Sequence, residues 1–401
     1  MRYKVVGPPG TGKTRRLLNE VQRYVDKGVK LDRIGYFAFT RKAAGEARDR
    51  FLKVKTELTK KDIKYFQTLH SLAFNRLGLK EENVMQDLNY KAIGETCGIQ
   101  IKYASYETNN WNGIFSSDSE YLGLINLARV KQISVLHQLD LNEHLSKVER
   151  NKLEAIEKEI INYKKVYGLI DFTDMIQKFL DTDDVPKFDV IFVDEAQDLS
   201  LIQWAMINKI EKDTDCDVWV AGDDDQAIYR WSGADVDAFI NLEGNAEVLE
   251  NSYRLPRKIF NLSQSVAKRI KKRVAKEFKP MYNEGEVYSV YDVPYNSMHK
   301  ENWLILAQTN YMLQEIEFQL KQRGFLFQKN FRRSIDESVT LAVNSWERLR
   351  KGKHIDIRSL KALYKLMTGN GKHISRGHKN IKVEDEDITF TLSDLQNNYG
   401  L

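Results

Sequence analysis

Gly7-Pro8-Pro9-Gly10-Thr11-Gly12-Lys13-Thr14 is a complete G-x-x-x-x-G-K-T run, and its chemistry is that of a phosphate cradle. Successive backbone N–H groups of such a loop point inward, and the positive end of the following helix adds to the attraction for an anion. Lys13 would reach the β and γ phosphates of a nucleoside triphosphate, and the Thr14 hydroxyl would take a position on Mg2+. A bare Gly/Pro turn is the alternative, disfavoured by the full pattern and by the strand and helix around it. Asp194-Glu195-Ala196-Gln197-Asp198 supplies what the loop lacks. Hydrolysis needs one carboxylate to hold the metal, directly or through water, and a second to orient and deprotonate the attacking water. Asp194 and Glu195 fit those roles.

The elements that must position these groups are legible around them. Tyr3 to Val6 reads as a short strand, and the helix opening near Lys13 carries Leu17, Leu18, Val21, Tyr24 and Val25 on one face. Phe188 to Val193 is an almost continuous apolar run, the form of a buried parallel strand that delivers carboxylates at its C-terminal end. Ile34 to Thr40, Ile63 to Thr68, Asp217 to Ala221 and Glu247 to Leu249 read as further strands. The interval between loop and carboxylates is longer than two strands of one sheet need, so part of it must be an inserted domain. From about Ser71 to Asp174 the pattern is mostly helical, with charged stretches such as Leu145 to Lys165. A second α/β unit is expected after Pro256, with Trp303 to Ala307 as a strand and Leu313 to Gln322 as an amphipathic helix. The polar stretch from Gly369 to Asp387 reads as exposed or mobile.

With 401 residues the chain should hold two to four domains, since single cores rarely grow past about 250 to 300 residues. A 42% apolar share can build those cores, and no run approaches the roughly 18 apolar residues of a membrane span. Two cysteines, Cys97 and Cys216, are too few for a disulfide framework or a metal cluster, which points to a reducing cytoplasm. The net charge of +5 is modest and does not by itself imply nucleic acid. Its distribution says more: Lys268, Arg269, Lys271, Lys272, Arg273, Lys276 and Lys279 crowd one expected helix, either a phosphate-contacting face or a solvated surface.

Two further stretches carry a family resemblance. Together with the loop at Gly7 and the Asp194 segment, Ala221-Gly222-Asp223-Asp224-Asp225-Gln226-Ala227-Ile228-Tyr229-Arg230-Trp231-Ser232-Gly233-Ala234 and Glu250-Asn251-Ser252-Tyr253-Arg254 resemble the superfamily 1 DNA helicases of the UvrD/Rep/PcrA type. Phe37 to Ala44, Thr68 to Ser71 and Ile170 to Met175 add to the likeness, which runs to about residue 335. The resemblance implies an α/β fold: a RecA-like P-loop NTPase domain with a parallel sheet, interrupted by a helical subdomain and followed by a second, incomplete RecA-like domain. Its boundaries would be 1–70 plus 171–255 for the first motor domain, 71–170 for the insert, 256–340 for the start of the second motor domain, and 341–401 for a further insertion or tail.

By the same resemblance Gln226 would sense the γ phosphate and Arg254 would donate to it, a task for which the guanidinium fork is well shaped. Arg15 and Tyr253 would sandwich adenine by stacking and cation-π contact. Phe39, Tyr229 and Trp231 would stack bases of single-stranded DNA, while Thr40, Thr68 and His70 would contact its phosphodiester backbone. The implied protein uses ATP and Mg2+, works on single-stranded and tailed duplex DNA moving 3′ to 5′, and meets replication or repair proteins. It would be cytoplasmic and nucleoid-associated, in a bacterial or phage-infected cell, with no membrane partner.

The pattern also breaks. Only six residues precede Gly7, where the family places a glutamine that recognises adenine. The family's later T-x-H-x-x-K-G-x-E strand and second γ-phosphate arginine are not found; His373 to Gly377 matches the strand motif only by chance. The expectation is a fragment or a natural short form that binds ATP and DNA but hydrolyses slowly and translocates poorly. A nucleotide-gated DNA-binding or regulatory module without productive unwinding is the alternative, and a P-loop kinase or small-molecule ATPase is a weaker one.

Overall fold

Alternate side chains of the central strands feed two separate cores in the computed structural model, which describes residues 1–100, 119–142, 145, 147–300, 302–329, 332–368, 373–375, 378 and 388–401. The chain divides into two compact units, Met1–Val287 and Tyr288–Leu401. In the first, β1 (Arg2–Val6), α1 (Lys13–Asp26), β2 (Ile34–Ala38), α2 (Arg41–Val54), β3 (Phe66–Gln67) and α3 (Leu69–Arg76) lead into a helical insert. That insert holds α4 (Asp87–Thr96), α5 (Glu120–Val130), α6 (Val135–Asp140) and α7 (Arg150–Tyr167). The chain returns through α8 (Phe172–Leu180), β4 (Val190–Asp194), α9 (Leu201–Thr214), β5 (Asp217–Gly222), α10 (Val236–Ile240), β6 (Asn245–Val248) and α11 (Arg257–Ala267).

The six strands form one parallel sheet in the order β3-β2-β4-β5-β1-β6. Tyr36, Phe192, Trp219 and Ala221 face a core completed by Leu17, Val21, Ala47 and Phe51 of α1 and α2. Their neighbours Phe37, Ile191, Val193, Val218 and Val220 face the opposite core, with Leu72, Met175, Phe179 and Ile207 of α3, α8 and α9. This period of two makes a three-layer α/β/α unit, in which burying Phe192 alone contributes about 2 kcal/mol. Parallel strands send all their C-terminal ends to one edge, where a ligand crevice forms. Val6 lies beside Gly222 and Ala38 beside Asp194 at that edge.

The insert has its own core, from Met85 to Ile160, closed by a stem in which Met85 donates to Ile170 O at 2.9 Å and Ile170 to Asn83 O at 2.9 Å. Helix α3 belongs to the sheet core rather than to the insert. The basic run after α11 is not one helix: α11 ends at Ala267. Closely spaced like charges disfavour helix, and the run is drawn instead onto acidic partners. Lys272 pairs with Asp237 at 2.9 Å, Arg273 with Asp225 at 2.5 Å and Lys276 with Asp223 at 2.5 Å.

The second unit contains α12 (Met312–Gln322), a hairpin of β7 (Gln328–Lys329) and β8 (Arg332–Arg333), and then α13 (Glu337–Arg350), β9 (Ile355–Asp356), α14 (Ile357–Leu366), β10 (Thr389–Phe390) and α15 (Leu392–Asn398). Leu349, Ile355, Leu360, Tyr364, Phe390 and Leu395 form its core. Residues 303–307, expected as a strand, carry no ladder, and Leu304 and Leu306 stand exposed. An apolar run becomes a buried strand only where neighbouring strands complete its hydrogen bonds. The expected mobile stretch 369–387 lies outside the described residues except at 373–375 and 378. Among the described residues no helix is long and apolar enough to cross a membrane.

Candidate phosphate-loop site and the adjoining aromatic face

Gly7, Gly10 and Gly12 shape the loop for reasons that the geometry makes explicit. A Cβ on Gly7 would fall 2.0 Å from Lys13 Cγ, and this bare backbone lets Lys13 Nζ fold back to donate to Gly7 O at 3.1 Å. Gly10 and Gly12 have φ of 73° and 87°, the left-handed region that glycine enters without penalty. Thr11 closes the turn, its Oγ1 donating to Pro8 O at 2.8 Å. Gly12 caps α1 without any side-chain hydrogen bond, so the helix presents its first N–H groups to the loop, as an anion site requires.

Beside the loop, Asp194 Oδ2 accepts from Thr14 Oγ1 at 2.7 Å and from Tyr36 OH at 2.9 Å. Asp194 is buried, and burial followed by the adjacent Glu195 charge pushes its carboxyl above the usual range, against the hydrogen bonds of Thr14 and Tyr36 and the charge of Lys13. A hard cation at this carboxylate and hydroxyl would relieve that repulsion, so the oxygen donors fit Mg2+. Among the described residues no group of three acidic, His or Cys side chains forms a metal cage, in keeping with an ion that is otherwise held by phosphate and water. Glu195 adopts a left-handed φ of 53°, a strained turn of the kind found at functional sites. It brings Oε2 to 3.7 Å from Lys13 Nζ.

A hydrogen-bonded chain leaves Glu195. Gln197 Nε2 donates to Glu195 Oε2 at 3.0 Å, while Gln197 Oε1 accepts from Asp223 N at 3.0 Å. Gln226 Nε2 in turn donates to Asp223 Oδ2 at 2.5 Å. Segment 251–254 is latched to the loop from the other direction: Ser252 Oγ donates to Pro9 O at 2.7 Å and Tyr253 N to Gly10 O at 2.8 Å. Arg254 therefore lies against Gly10, where an added Cβ would meet its Cβ at 2.3 Å. Tyr253 and Arg15 are both exposed; the structure places each next to the loop without stacking one on the other.

The expected nucleic-acid residues separate into exposed and buried sets. Trp231 is 60% exposed, backed by Tyr229 at 6.4 Å between ring centroids, which in turn packs on Phe39 at 5.2 Å. Phe39 itself is buried, so it supports Tyr229 and has no free face for a base. Thr40 is half-buried and caps α2 by accepting from Ala43 N at 3.0 Å. Thr68 and His70, expected on the DNA backbone, are both buried. Thr68 caps α3, accepting from Ser71 N at 3.1 Å, and His70 packs edge-on to Phe172. Burial, with the nearby Arg41 charge, lowers the His70 pKa to about 4. His70 is thus a neutral core residue at pH 7.

Next to these caps lies an open cleft of about 460 Å3 lined by Arg41, Arg48, Lys64, Gln67, Ser71 and Asn75, with Asp49 3.8 Å from Arg48 Nε. Sequence reasoning missed this cleft, although Arg41 and Arg48 stand two helical turns apart and so share a face of α2. It also missed Tyr36, whose signal was a phenol among the inward-facing residues of an apolar strand, and Ser252, which lay inside a recognised segment.

A family model described as UvrD/REP helicase N-terminal domain matches residues 2–247. The chain is 25% identical over 357 residues to the ATP-dependent DNA helicase PcrA of Leuconostoc citreum, covering 84% of this chain and 46% of that protein. It is 24% identical over 304 residues to PcrA of Staphylococcus aureus, covering 72% and 41%. A probable DNA helicase II homolog of Mycoplasma capricolum is 24% identical over 369 residues, covering 81% and 49%. The chain thus spans about half the length of the curated relatives it matches.

Proposed function

The chain belongs to the UvrD/REP helicase family, and from that premise we propose that it binds ATP at the loop of residues 7–14 and couples its hydrolysis to a grip on single-stranded DNA. In this reading the sheet unit is the first motor domain, the helical insert rides on it, and the residues after Val287 open the second. Movement is 3′ to 5′, and tailed duplexes are the substrate for unwinding.

The observation that carries the reading is the unbroken hydrogen-bonded path Glu195–Gln197–Asp223–Gln226, which ends in the loop bearing Tyr229 and Trp231. A shift of Glu195 or Gln226 at the nucleotide would be felt at the aromatic face. Lys13, now held by Gly7 O and Glu195, would turn to the β and γ phosphates. That turn releases Glu195 to orient and deprotonate the attacking water. Arg254 donates to the γ phosphate from its place against Gly10, and Arg15 and Tyr253 close on the base. Mg2+ held by Thr14 and Asp194 would neutralise phosphate charge. Trp231, backed by Tyr229, stacks bases, and the Arg41–Arg48–Lys64 cleft suits the phosphate backbone because three cationic side chains line it.

The test is ATP turnover with and without single-stranded DNA, in the wild-type chain and in Lys13→Ala. The reading expects turnover that DNA stimulates and that Lys13→Ala abolishes. Turnover that survives Lys13→Ala, or that ignores DNA, would overturn it. A tailed-duplex assay then separates a motor from an ATP-gated DNA binder.

A further inference from the structure

Lys276 lies outside every segment that the family resemblance singled out, yet its ammonium is the hub of the most buried charge cluster near the site. Its side chain has no exposure, and Nζ sits 2.5 Å from Asp223 Oδ1, 2.6 Å from Asp224 Oδ1 and 3.1 Å from Asp225 Oδ2. Arg273 adds a two-pronged contact to Asp225, with Nε 2.9 Å from Oδ1 and Nη2 2.5 Å from Oδ2. Lys4 is buried close by, its Nζ donating to Ile240 O at 2.7 Å. Three carboxylates thus meet the ammonium of Lys276 and the guanidinium of Arg273, and both cations are needed because an unpaired buried charge is strongly unfavourable.

Backbone hydrogen bonds hold the stretch around Lys276 as firmly as ion pairs hold its side chain. Val274 N donates to Asp224 Oδ2 at 2.8 Å. Lys279 N donates to Glu250 O at 2.7 Å, and Ser252 N to Lys279 O at 2.8 Å. Residues 273–279 therefore strap together two loops, one bearing Gln226 and the other bearing Arg254. Asp223 is the common joint: one of its oxygens accepts from Lys276, the other from Gln226, and its N–H reaches Gln197 and so Glu195.

We propose that Lys276 is a positioning residue for ATP turnover: it fixes Asp223, which aims Gln226. The inference rests on the ATPase reading above. It assigns Lys276 no contact with nucleotide or DNA, and it removes this lysine from the phosphate-contacting face that its basic neighbours suggested.

The test uses Lys276→Met, which keeps the length of the chain and removes the charge, and Asp223→Asn, which keeps the shape of the joint. For both, kcat should fall about 10- to 100-fold while the KM for ATP stays within about three-fold, the signature of a lost orienting group rather than a lost ligand contact. In a Gln226→Ala background neither change should lower kcat further, because the group they orient is gone. Lys276→Arg should recover part of the loss. Wild-type kcat in Lys276→Met, losses that add to that of Gln226→Ala, or a rise in KM matching the fall in kcat would each overturn the proposal. Should Lys276→Met not fold, Asp223→Asn decides; failure of both to fold would mark the cluster as structural only and refute the positioning role. An inactive wild-type chain would instead refute the ATPase reading, so the two failures are distinguishable.

Discussion

Arg129→Met isolates the ion network that seats the helical insert on the sheet domain. Arg129 Nη1 lies 2.5 Å from Asp171 Oδ2 and Nη2 lies 2.5 Å from Asp174 Oδ1, while Lys164 Nζ reaches the same carboxylates at 2.9 and 2.7 Å. Asp171 and Asp174 also form the capping box that starts α8. Removing one partner from a buried ion pair costs about 3–5 kcal/mol, and because Lys164 remains in place the low end applies, about 3 kcal/mol. For a unit of this size each kcal/mol lowers Tm by roughly 2–4 °C, so melting should fall by roughly 6 to 12 °C.

The pH dependence has a definite sign. Burial opposes ionisation of Asp171, but Arg129 and Lys164 outweigh it and hold the carboxyl well below its usual range. A depressed carboxylate stabilises the fold above its unfolded pKa, and that contribution drains away as pH falls through the folded value. The difference between wild type and Arg129→Met should be full at pH 7 and should narrow by about 1 kcal/mol between pH 5 and pH 3. Circular-dichroism melts across this range measure it directly. A difference below about 1 kcal/mol at pH 7, or one that widens in acid, would refute the assignment of these groups as a buried network. The same variant should loosen the aromatic face, because α5 packs Val130 where a Cβ on Gly233 would lie 2.3 Å away. Single-strand affinity should therefore drop while nucleotide binding persists.

Trp231→Ala removes the exposed stacking platform and should weaken single-strand binding by about 1–3 kcal/mol, roughly 5- to 150-fold, with nucleotide affinity unchanged; fluorescence anisotropy of a labelled oligonucleotide reads it, and equal loss of both ligands would show a folding defect instead. Gly10→Ala forces a side chain into a left-handed φ of 73° and against Arg254, so the two latched loops must part. Titration with a fluorescent ATP analogue should show binding lost, and wild-type affinity would show that the loop tolerates the shift.

What could be read from the sequence follows from how local each requirement is. A phosphate-loop pattern fixes residue types at adjacent positions, so the segments Gly7 to Thr14 and Asp194-Glu195 stand out in the sequence, and the structure brings Thr14 within 2.7 Å of Asp194. Strands buried on both faces announce themselves as apolar runs, which is why β2, β4 and β5 were found close to their true bounds. The same signal misled at residues 303–307, because an apolar run does not reveal whether neighbouring strands are there to receive it. Burial within a motif was equally hidden: Phe39 packs into the core shared with α3 and α8, while Thr68 and His70 are buried at the start of α3 itself, His70 against Phe172 of α8.

Lys276 is the clearest case of information that spacing cannot carry. In the sequence it is one of seven basic residues in a short run, and nothing local separates it from Lys268 or Lys271. Its partners at Asp223 and Asp224 lie 53 and 52 residues away. Only the tertiary fold converts an ordinary lysine into a buried counter-ion. Three successive aspartates after an apolar strand did carry a physical hint, because carboxylates delivered to a crowded sheet edge must find cations or remain unstable. Asking which basic residues answer that demand would have turned attention from a surface patch to the joint between the loops of Gln226 and Arg254.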